Sequence, residues 1–214
     1  MKEPCLHCLT TDLPTIPHSE QAQAFCEGGA SLIQMRAKQL AFGDHLREAG
    51  EIVRVCHEFG AVFIVNDSPD IALRVGADGV HLGKKDVSPA RARKMLGPQA
   101  LVGGTVNSLS DAERLVGEGV CDYAGVGPFR QTMTKENLAP ILAAQELRTI
   151  LETLRETPAF VIGGIRIGDV SGILSLGARG VAVCSALFAQ GEPVAGNVSR
   201  FLNELNSIRD AQAA

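Results

Sequence analysis

The sequence is poor in aromatic residues, with eight Phe, one Tyr and no Trp among 214 residues. Proteins that bind single-stranded nucleic acids stack the bases on aromatic side chains, and proteins that bind duplexes usually carry a basic face. The formal net charge is −4, so the chain has no basic excess either. These two absences predict a protein without a nucleic-acid partner.

Long apolar runs are absent as well. The longest are residues 61–65 and 180–189, whereas a helix that spans a bilayer needs about 20 apolar residues. Residues 1–11 lack the basic segment and the long apolar run that are typical of a signal peptide. We therefore expect a cytoplasmic protein without a membrane partner.

The six cysteines are spread over a chain that is large enough to fold without disulfides, so we expect reduced thiols. Cys5 and Cys8 form a C-x-x-C pair around His7, a pattern that metal sites and redox pairs also use. A structural zinc needs four ligands, and the sequence has no second pair of Cys or His at metal spacing. Packing of both thiols in the core is the favoured interpretation, and a functional thiol pair is the alternative.

Eight short apolar segments typical of β-strands recur along the chain: Cys5–Thr10, Ser31–Arg36, Val62–Asn66, Gly79–Leu82, Ala100–Gly103, Tyr123–Gly127, Ala159–Ile162 and Gly180–Val183. Segments with helical apolar spacing lie between most of them, which indicates parallel strands joined by helices. The pattern predicts an α/β fold, a single (β/α)8 TIM barrel, with an open doubly wound sheet as the alternative. We expect one domain over residues 1–214, with residues 203–214 as a C-terminal helix end or a disordered tail.

Polar residues follow several of the predicted strands, where a barrel of this type carries its chemistry. Gln34, Arg36 and Lys38 alternate after the second strand, so they share one face of an extended segment that suits an anionic substrate. Asp67 and Asp86 follow the third and fourth strands, which lie side by side. Because Mg²⁺ needs only one or two protein carboxylates beside substrate phosphate, the sequence predicts a magnesium site there.

A second anion-binding region is predicted across the barrel. Thr132, Thr134 and Lys135 follow the sixth strand and offer donors for phosphate oxygens. The seventh and eighth strands end in Gly163-Gly164 and Cys184-Ser185, and loops after these strands commonly bind phosphate through backbone amides. No nucleophile and base stand together in the sequence, and His81 lies inside a strand, where we expect a structural role.

These residues resemble thiamine-phosphate synthases in order over most of the chain. The matching segments are Gln34-x-Arg36-x-Lys38, Asn66-Asp67, residues 76–83, Asp86, Thr132-x-Thr134-Lys135, Gly163-Gly164-Ile165 and Ser185-Ala186. The resemblance implies two phosphorylated small-molecule substrates, a pyrimidine diphosphate and a thiazole phosphate, which condense with loss of diphosphate in the presence of Mg²⁺. It implies no side-chain nucleophile and is compatible with a homo-oligomer.

The resemblance also implies roles for individual residues. The pyrimidine diphosphate would contact Gln34, Arg36, Lys38, Asn66, Thr105 and Lys135. The thiazole phosphate would contact Thr132, Thr134, Gly164, Cys184 and Ser185. Asp67 and Asp86 would bind Mg²⁺, and Lys135 together with the metal ligands would stabilise the leaving diphosphate.

Some positions depart from the family pattern. Thr105 stands where a serine is usual and Asn107 where a histidine is usual, while Arg130-Gln131 replaces an apolar residue and a proline, and Met133 replaces a proline. Two alternatives stay open: a thiazole tautomerase-like enzyme and a non-catalytic protein that binds thiazole phosphate. The tautomerase-like branch places its catalytic histidine at the position of Asn107. Because this chain lacks that histidine, the synthase is favoured.

Overall fold

The computed structural model describes residues 4–131 and 139–213, and these residues form a closed parallel barrel whose eight strands follow one another in chain order. The strands are β1 (Leu6–Leu9), β2 (Leu32–Met35), β3 (Val62–Asn66), β4 (Gly79–Leu82), β5 (Leu101–Val106), β6 (Tyr123–Val126), β7 (Ala159–Ile162) and β8 (Gly180–Val183). The predicted (β/α)8 barrel is confirmed, and the open sheet is wrong because β1 pairs with β8.

Helices on the outside of the barrel connect the strands. They are α1 (His18–Glu27), α2 (Phe42–Phe59), α3 (Pro69–Val75), α4 (Pro89–Leu96), α5 (Leu109–Glu118), α6 (Ala144–Thr153), α7 (Val170–Ser175) and α8 (Val194–Ala213). Two short 3-10 turns precede α7 and α8, at Ile167–Asp169 and Ser185–Phe188. Within the described ranges no helix is long and apolar enough to cross a membrane.

The strands are buried on both faces, as their continuous apolar sequences predict. Outward-facing side chains such as Ile33 and Phe63 pack against the helices in the larger core. Inward-facing side chains form a smaller core inside the barrel that includes Tyr123 and Phe160. His7 packs edge-on against both of these rings, with centroids 5.6 Å apart, and burial lowers the pKa of His7 to about 3.

Strand β5 is longer than predicted, because Gly104, Thr105 and Val106 continue the strand. The glycines there leave room for side chains from neighbouring elements. A Cβ on Gly103 would lie 2.1 Å from Cζ of Tyr123, and one on Gly104 would lie 2.8 Å from Leu115. The correction places Thr105 inside the barrel wall rather than on the loop that follows it.

Similar glycine-containing turns precede β2, β4, β6 and β8, and two of them connect neighbouring strands at the N-terminal face of the barrel. In the segment 76–79, Gly76 ends α3 in the left-handed conformation, at φ +70°. Asp78 then accepts the Phe63 amide at 2.8 Å, and Asp122, before β6, accepts the Val102 amide at 2.7 Å. Each carboxylate therefore satisfies an amide of the preceding strand.

Arg93 joins the segments before β5 and β6 at this face, and its loss should destabilise the fold. It donates to the carbonyls of Ala100 and Val120 and forms an ion pair of 2.5 Å with Asp122. We expect Arg93→Met to lower the free energy of unfolding by roughly 2 kcal/mol, because two partly buried carbonyls and a carboxylate lose a charged donor. Urea denaturation measures this.

A matched control uses an exposed arginine. Arg74 pairs with Asp70 on the surface of α3, where the arginine side chain is 57% exposed. Arg74→Met should cost less than about 1 kcal/mol, as exposed pairs do. Equal unfolding midpoints for the Arg93 and Arg74 variants would contradict the structural role of Arg93.

Candidate active site

Polar side chains from adjacent strands meet inside the C-terminal mouth of the barrel. Gln34 from β2 donates to Asn66 from β3, with Nε2 and Oδ1 2.7 Å apart, and both side chains are buried. The register of the barrel pairs Asn66 with His81 of β4. Two of the predicted pyrimidine contacts therefore lie side by side at the floor of the mouth.

His81 belongs to this floor and links it to β5 and β6. Its Nδ1 lies 3.2 Å from the hydroxyl of Tyr123 and its Nε2 lies 3.1 Å from Oγ1 of Thr105. Burial raises the pKa of the Tyr123 phenol well above its ordinary range, so the phenol keeps its proton. The sequence predicted a structural role for His81. In the structure its ring contacts Thr105, a residue that is predicted to bind the pyrimidine diphosphate. Gly103 and Gly125 leave room for the His81 ring, and these glycines were the sequence feature that could have indicated its position.

The two predicted metal ligands come together at the mouth next to Lys38. Asp67 directly follows β3, and its amide donates to the carbonyl of His81 at 2.8 Å. The ammonium of Lys38 contacts Oδ2 of Asp67. Burial raises the pKa of Asp86; the Gly83 amide, which donates to Oδ2 at 2.7 Å, lowers it, and the negative charge of the adjacent Asp67 raises it. Two carboxylates and an ammonium therefore share one small region.

This donor set fits a hard divalent cation that also binds substrate. In the part of the chain that the structure describes, no three His, Cys, Asp or Glu side chains form a group that could hold a metal ion. Mg²⁺ does not require one, because it usually takes one or two carboxylates and completes its shell with water and phosphate oxygens. Asp67 and Asp86 supply that number of carboxylates.

The segment that carries Arg36 and Lys38 is held by three residues that the sequence did not indicate. Oγ1 of Thr10 accepts the Arg36 amide at 3.1 Å, and Oδ2 of Asp12 accepts the Lys38 amide at 3.0 Å. His18 connects the two, with Nδ1 2.6 Å from Thr10 and Nε2 3.3 Å from Asp12. These contacts join the loop after β1 to the loop after β2, so they depend on the pairing of these two strands.

Across the barrel, the loops after β7 and β8 form the second predicted region. Gly163 and Gly164 follow β7 at φ +111° and +62°, and Cys184 and Ser185 follow β8 at the start of a 3-10 turn. Burial raises the pKa of the Cys184 thiol, although the positive charge of Arg36 lowers it. Arg36 therefore lies close enough to Cys184 for its charge to affect the thiol.

Three predicted residues, Thr132, Thr134 and Lys135, lie outside the described residues. Asn107 and Arg130, two positions at which the sequence departs from the family pattern, are among the described residues. Asn107 directs its amide to the carbonyl of Gly127 at 2.5 Å. Arg130 forms a two-pronged ion pair with Asp169 at 2.8 and 3.0 Å. The structure thus brings Lys38, Asp67 and Asp86 together on one side and places the Gly163-Gly164 turn on the other.

The charged and polar groups of this closed (β/α)8 barrel lie at the carboxyl ends of its strands. Enzymes with this fold have their active sites there. The family model described as thiamine monophosphate synthase matches residues 8–187. The chain belongs to this family, the thiamine-phosphate synthases, and is a transferase of thiamine biosynthesis.

Individual relatives agree with this assignment. The chain is 35% identical over 202 residues to the thiamine-phosphate synthase of Phocaeicola vulgatus, covering 92% of this chain and 96% of that one. It is 39% identical over 173 residues to the thiamine-phosphate synthase of Laribacter hongkongensis, covering 81% of each. The solved thiamine phosphate pyrophosphorylase from Pyrococcus furiosus matches with a TM-score of 0.85 and 30% identity, covering 95% of this chain and 96% of that one. The resemblance seen in the sequence is confirmed.

Proposed function

We propose that this chain condenses 4-amino-2-methyl-5-(diphosphooxymethyl)pyrimidine with 4-methyl-5-(2-phosphooxyethyl)thiazole, giving thiamine phosphate and diphosphate, with the residue roles set out below. The observation that carries these roles is the meeting of Asp67, Asp86 and Lys38 at one side of the mouth. The Gly163-Gly164 turn lies three or four strands away from each of them around the closed barrel. Two anionic groups can therefore bind at opposite sides of one cavity.

The pyrimidine ring binds at the floor of the mouth, against Gln34, Asn66 and Thr105. The Gln34 to Asn66 hydrogen bond fixes both amides, so their remaining donors and acceptors face the ring in a set orientation. Thr105 is held by His81 in the same way. This arrangement suits an aminopyrimidine, whose ring nitrogens and amino group alternate as acceptors and donors.

The diphosphate binds beside Arg36, Lys38 and Lys135, and Asp67 and Asp86 hold Mg²⁺ against it. A Mg²⁺ ion held there would supply positive charge that offsets the negative charge of the leaving diphosphate. The thiazole phosphate binds to the backbone at Gly164, Cys184 and Ser185 and to the hydroxyls of Thr132 and Thr134. Glycine suits that turn because backbone amides can approach an anion without an intervening side chain.

The reaction is dissociative. The bond between the pyrimidine methylene carbon and the diphosphate oxygen breaks, the electron pair leaves with diphosphate, and the thiazole nitrogen donates its pair to the resulting cation. Arg36, Lys38 and Lys135 stabilise the developing negative charge, and Gln34, Asn66 and Thr105 hold the ring toward the thiazole. Burial raises the pKa of the Cys184 thiol, so it stays protonated, in agreement with a mechanism that uses no side-chain nucleophile.

The tautomerase-like alternative is disfavoured by Asn107. Its side-chain amide has no basic nitrogen and donates to the Gly127 carbonyl. An amide in that position cannot move a proton as a histidine does. A cytoplasmic location, a homo-oligomer and the absence of nucleic-acid or membrane partners remain predictions of the sequence.

The experiment that tests this function incubates both phosphorylated substrates with Mg²⁺ and measures thiamine phosphate. We expect product with the wild-type chain and at least about a hundredfold slower formation with Lys135→Ala, because one cation that stabilises the leaving group is lost. Thiazole-phosphate binding without product would instead indicate the non-catalytic protein. Conversion of the thiazole phosphate alone would indicate the tautomerase.

A further inference from the structure

We propose that Arg130 is a positioning residue that, with Asp169, holds the Gly163-Gly164 turn so that two backbone amides face the thiazole phosphate. The inference rests on the proposed function, because it assigns the phosphate to this turn. In the sequence, Arg130-Gln131 stands where the resemblance implies an apolar residue and a proline, and the proposal assigns Arg130 a function.

The carbonyls of Gly163 and Gly164 both accept hydrogen bonds from Arg130. The Arg130 amide donates to the carbonyl of Gly163 at 3.0 Å, and Nη1 of Arg130 donates to the carbonyl of Gly164 at 2.7 Å. The N–H of a trans peptide points opposite to its carbonyl, and the one cis peptide bond among the described residues is Gly127-Pro128. The amides of Gly164 and Ile165 therefore point away from Arg130, on the other side of the turn.

Gly164 and Ile165 thus contribute two successive amides on that side of the turn. Neither donates to any residue in the ranges 4–131 and 139–213. Successive backbone N–H groups at residues with unusual φ angles form anion-binding concavities, and Gly163 and Gly164 have positive φ angles. Two such N–H groups can both donate hydrogen bonds to one anion.

Asp169 keeps Arg130 in place from the other side. Nη1 and Nη2 of Arg130 bind Oδ2 and Oδ1 of Asp169 at 2.8 and 3.0 Å, and Oδ2 also accepts the Arg166 amide at 2.8 Å. The Arg130 hydrogen bonds lower the pKa of Asp169, so the carboxyl is charged near neutral pH. Because Asp169 already neutralises the guanidinium, Arg130 acts by geometry rather than as a cation that binds the phosphate.

Close packing makes the arrangement specific. A Cβ on Gly164 would lie 3.1 Å from Cβ of Arg130, and one on Gly163 would lie 3.0 Å from Cα of Pro128. The guanidinium also lies over the ring of Phe129, 5.4 Å from its centroid. The segment 128–130 therefore lies directly on the turn, and a change in the Arg130 contacts must reach the peptide planes of the turn.

The test measures the Kd of the thiazole phosphate alone, by calorimetry, for the wild type, Asp169→Asn, Arg130→Lys and the double variant. Asp169→Asn keeps an acceptor for the Arg166 amide, and Arg130→Lys keeps the positive charge. We expect each single variant to raise this Kd about tenfold, because the turn loses its fixed orientation. The double variant should be no worse than the single ones, because the two residues act as one unit. The KM for the pyrimidine diphosphate should not change.

If Arg130 instead bound the phosphate directly as a cation, Asp169→Asn would change the Kd of the thiazole phosphate in the opposite direction. Releasing Arg130 by Asp169→Asn would then tighten thiazole-phosphate binding and overturn the proposal, as would an unchanged Kd in both single variants. Equal increases in the Kd and in the KM of the pyrimidine diphosphate would indicate general structural damage and would also overturn it.

The control is Arg93→Lys, at the opposite face of the barrel, where an arginine also joins carbonyls to a carboxylate. It should lower the Tm and leave the Kd of the thiazole phosphate unchanged. If the wild type binds no thiazole phosphate, the proposed function itself fails. If the wild type binds it and forms product while the variants behave like the wild type, only the role of Arg130 fails.

Discussion

Asparagine in place of Asp67 is expected to lower kcat by about a thousandfold. The substitution removes one negative charge from a pair of carboxylates that the proposed mechanism uses to hold Mg²⁺ on the leaving diphosphate. Electrostatic stabilisation of charge that develops in the transition state is often the largest single contribution to catalysis, and no side-chain nucleophile is available to replace it. Initial rates of thiamine phosphate formation at saturating substrates and Mg²⁺ measure the effect.

Asparagine is the appropriate substitution because of the backbone. Asp67 is the one non-glycine residue with positive φ among the described residues, at φ +65°. Asn and Asp tolerate this conformation better than other side chains, so Asp67→Asn keeps the shape of the loop, whereas alanine adds strain. The Kd of the thiazole phosphate serves as the control and should stay unchanged. A variant with near wild-type kcat would rule out the assigned role of Asp67.

Asp86→Asn is expected to raise the Mg²⁺ concentration needed for half-maximal rate by about thirtyfold to a hundredfold. The loss of one of two carboxylate ligands weakens the metal site, while the substrate phosphates still contribute theirs. Titration of the initial rate with Mg²⁺ gives the value. The amide oxygen of Asn can still accept the Gly83 amide that Asp86 binds at 2.7 Å, so the loop should keep its conformation.

The same variant has a second expected effect that does not depend on catalysis. Burial and the negative charge of the adjacent Asp67 both raise the pKa of Asp86, so the ionised carboxyl is unfavourable in the folded protein. Without Mg²⁺, Asp86→Asn should therefore have a Tm equal to or higher than that of the wild type. A fall in Tm together with weaker thiazole-phosphate binding would show that Asp86 has a general structural role instead.

The sequence predicts the barrel well because the signals for it are local. Apolar segments such as Val62–Asn66 and Gly79–Leu82 have the bounds that the structure shows for β3 and β4. The predicted strand ends at Gly103, short of the observed end at Val106, because consecutive glycines such as Gly103 and Gly104 are uncommon inside a strand. They continue the strand because Tyr123 and Leu115 occupy the space that their side chains would fill. That space exists only once β6 and α5 are in place.

The same distinction applies to the site. Asp67 and Asp86 were placed together from the order of parallel strands alone. The contacts of His81 with Tyr123 and Thr105, 42 and 24 residues away along the chain, depend on strand register and could not be read from spacing. The ion pair of Arg130 with Asp169 likewise joins two loops that have no local signal in common.

The most direct test compares the Mg²⁺ dependence of thiamine phosphate formation in the wild type and in Asp67→Asn, with both substrates saturating. The paired-carboxylate site predicts a saturable increase of rate with Mg²⁺ in the wild type. In the variant it predicts a rate about a thousandfold lower that no Mg²⁺ concentration restores. Equal rates for the two proteins, or a wild-type rate unchanged by a chelator, would contradict the central claim.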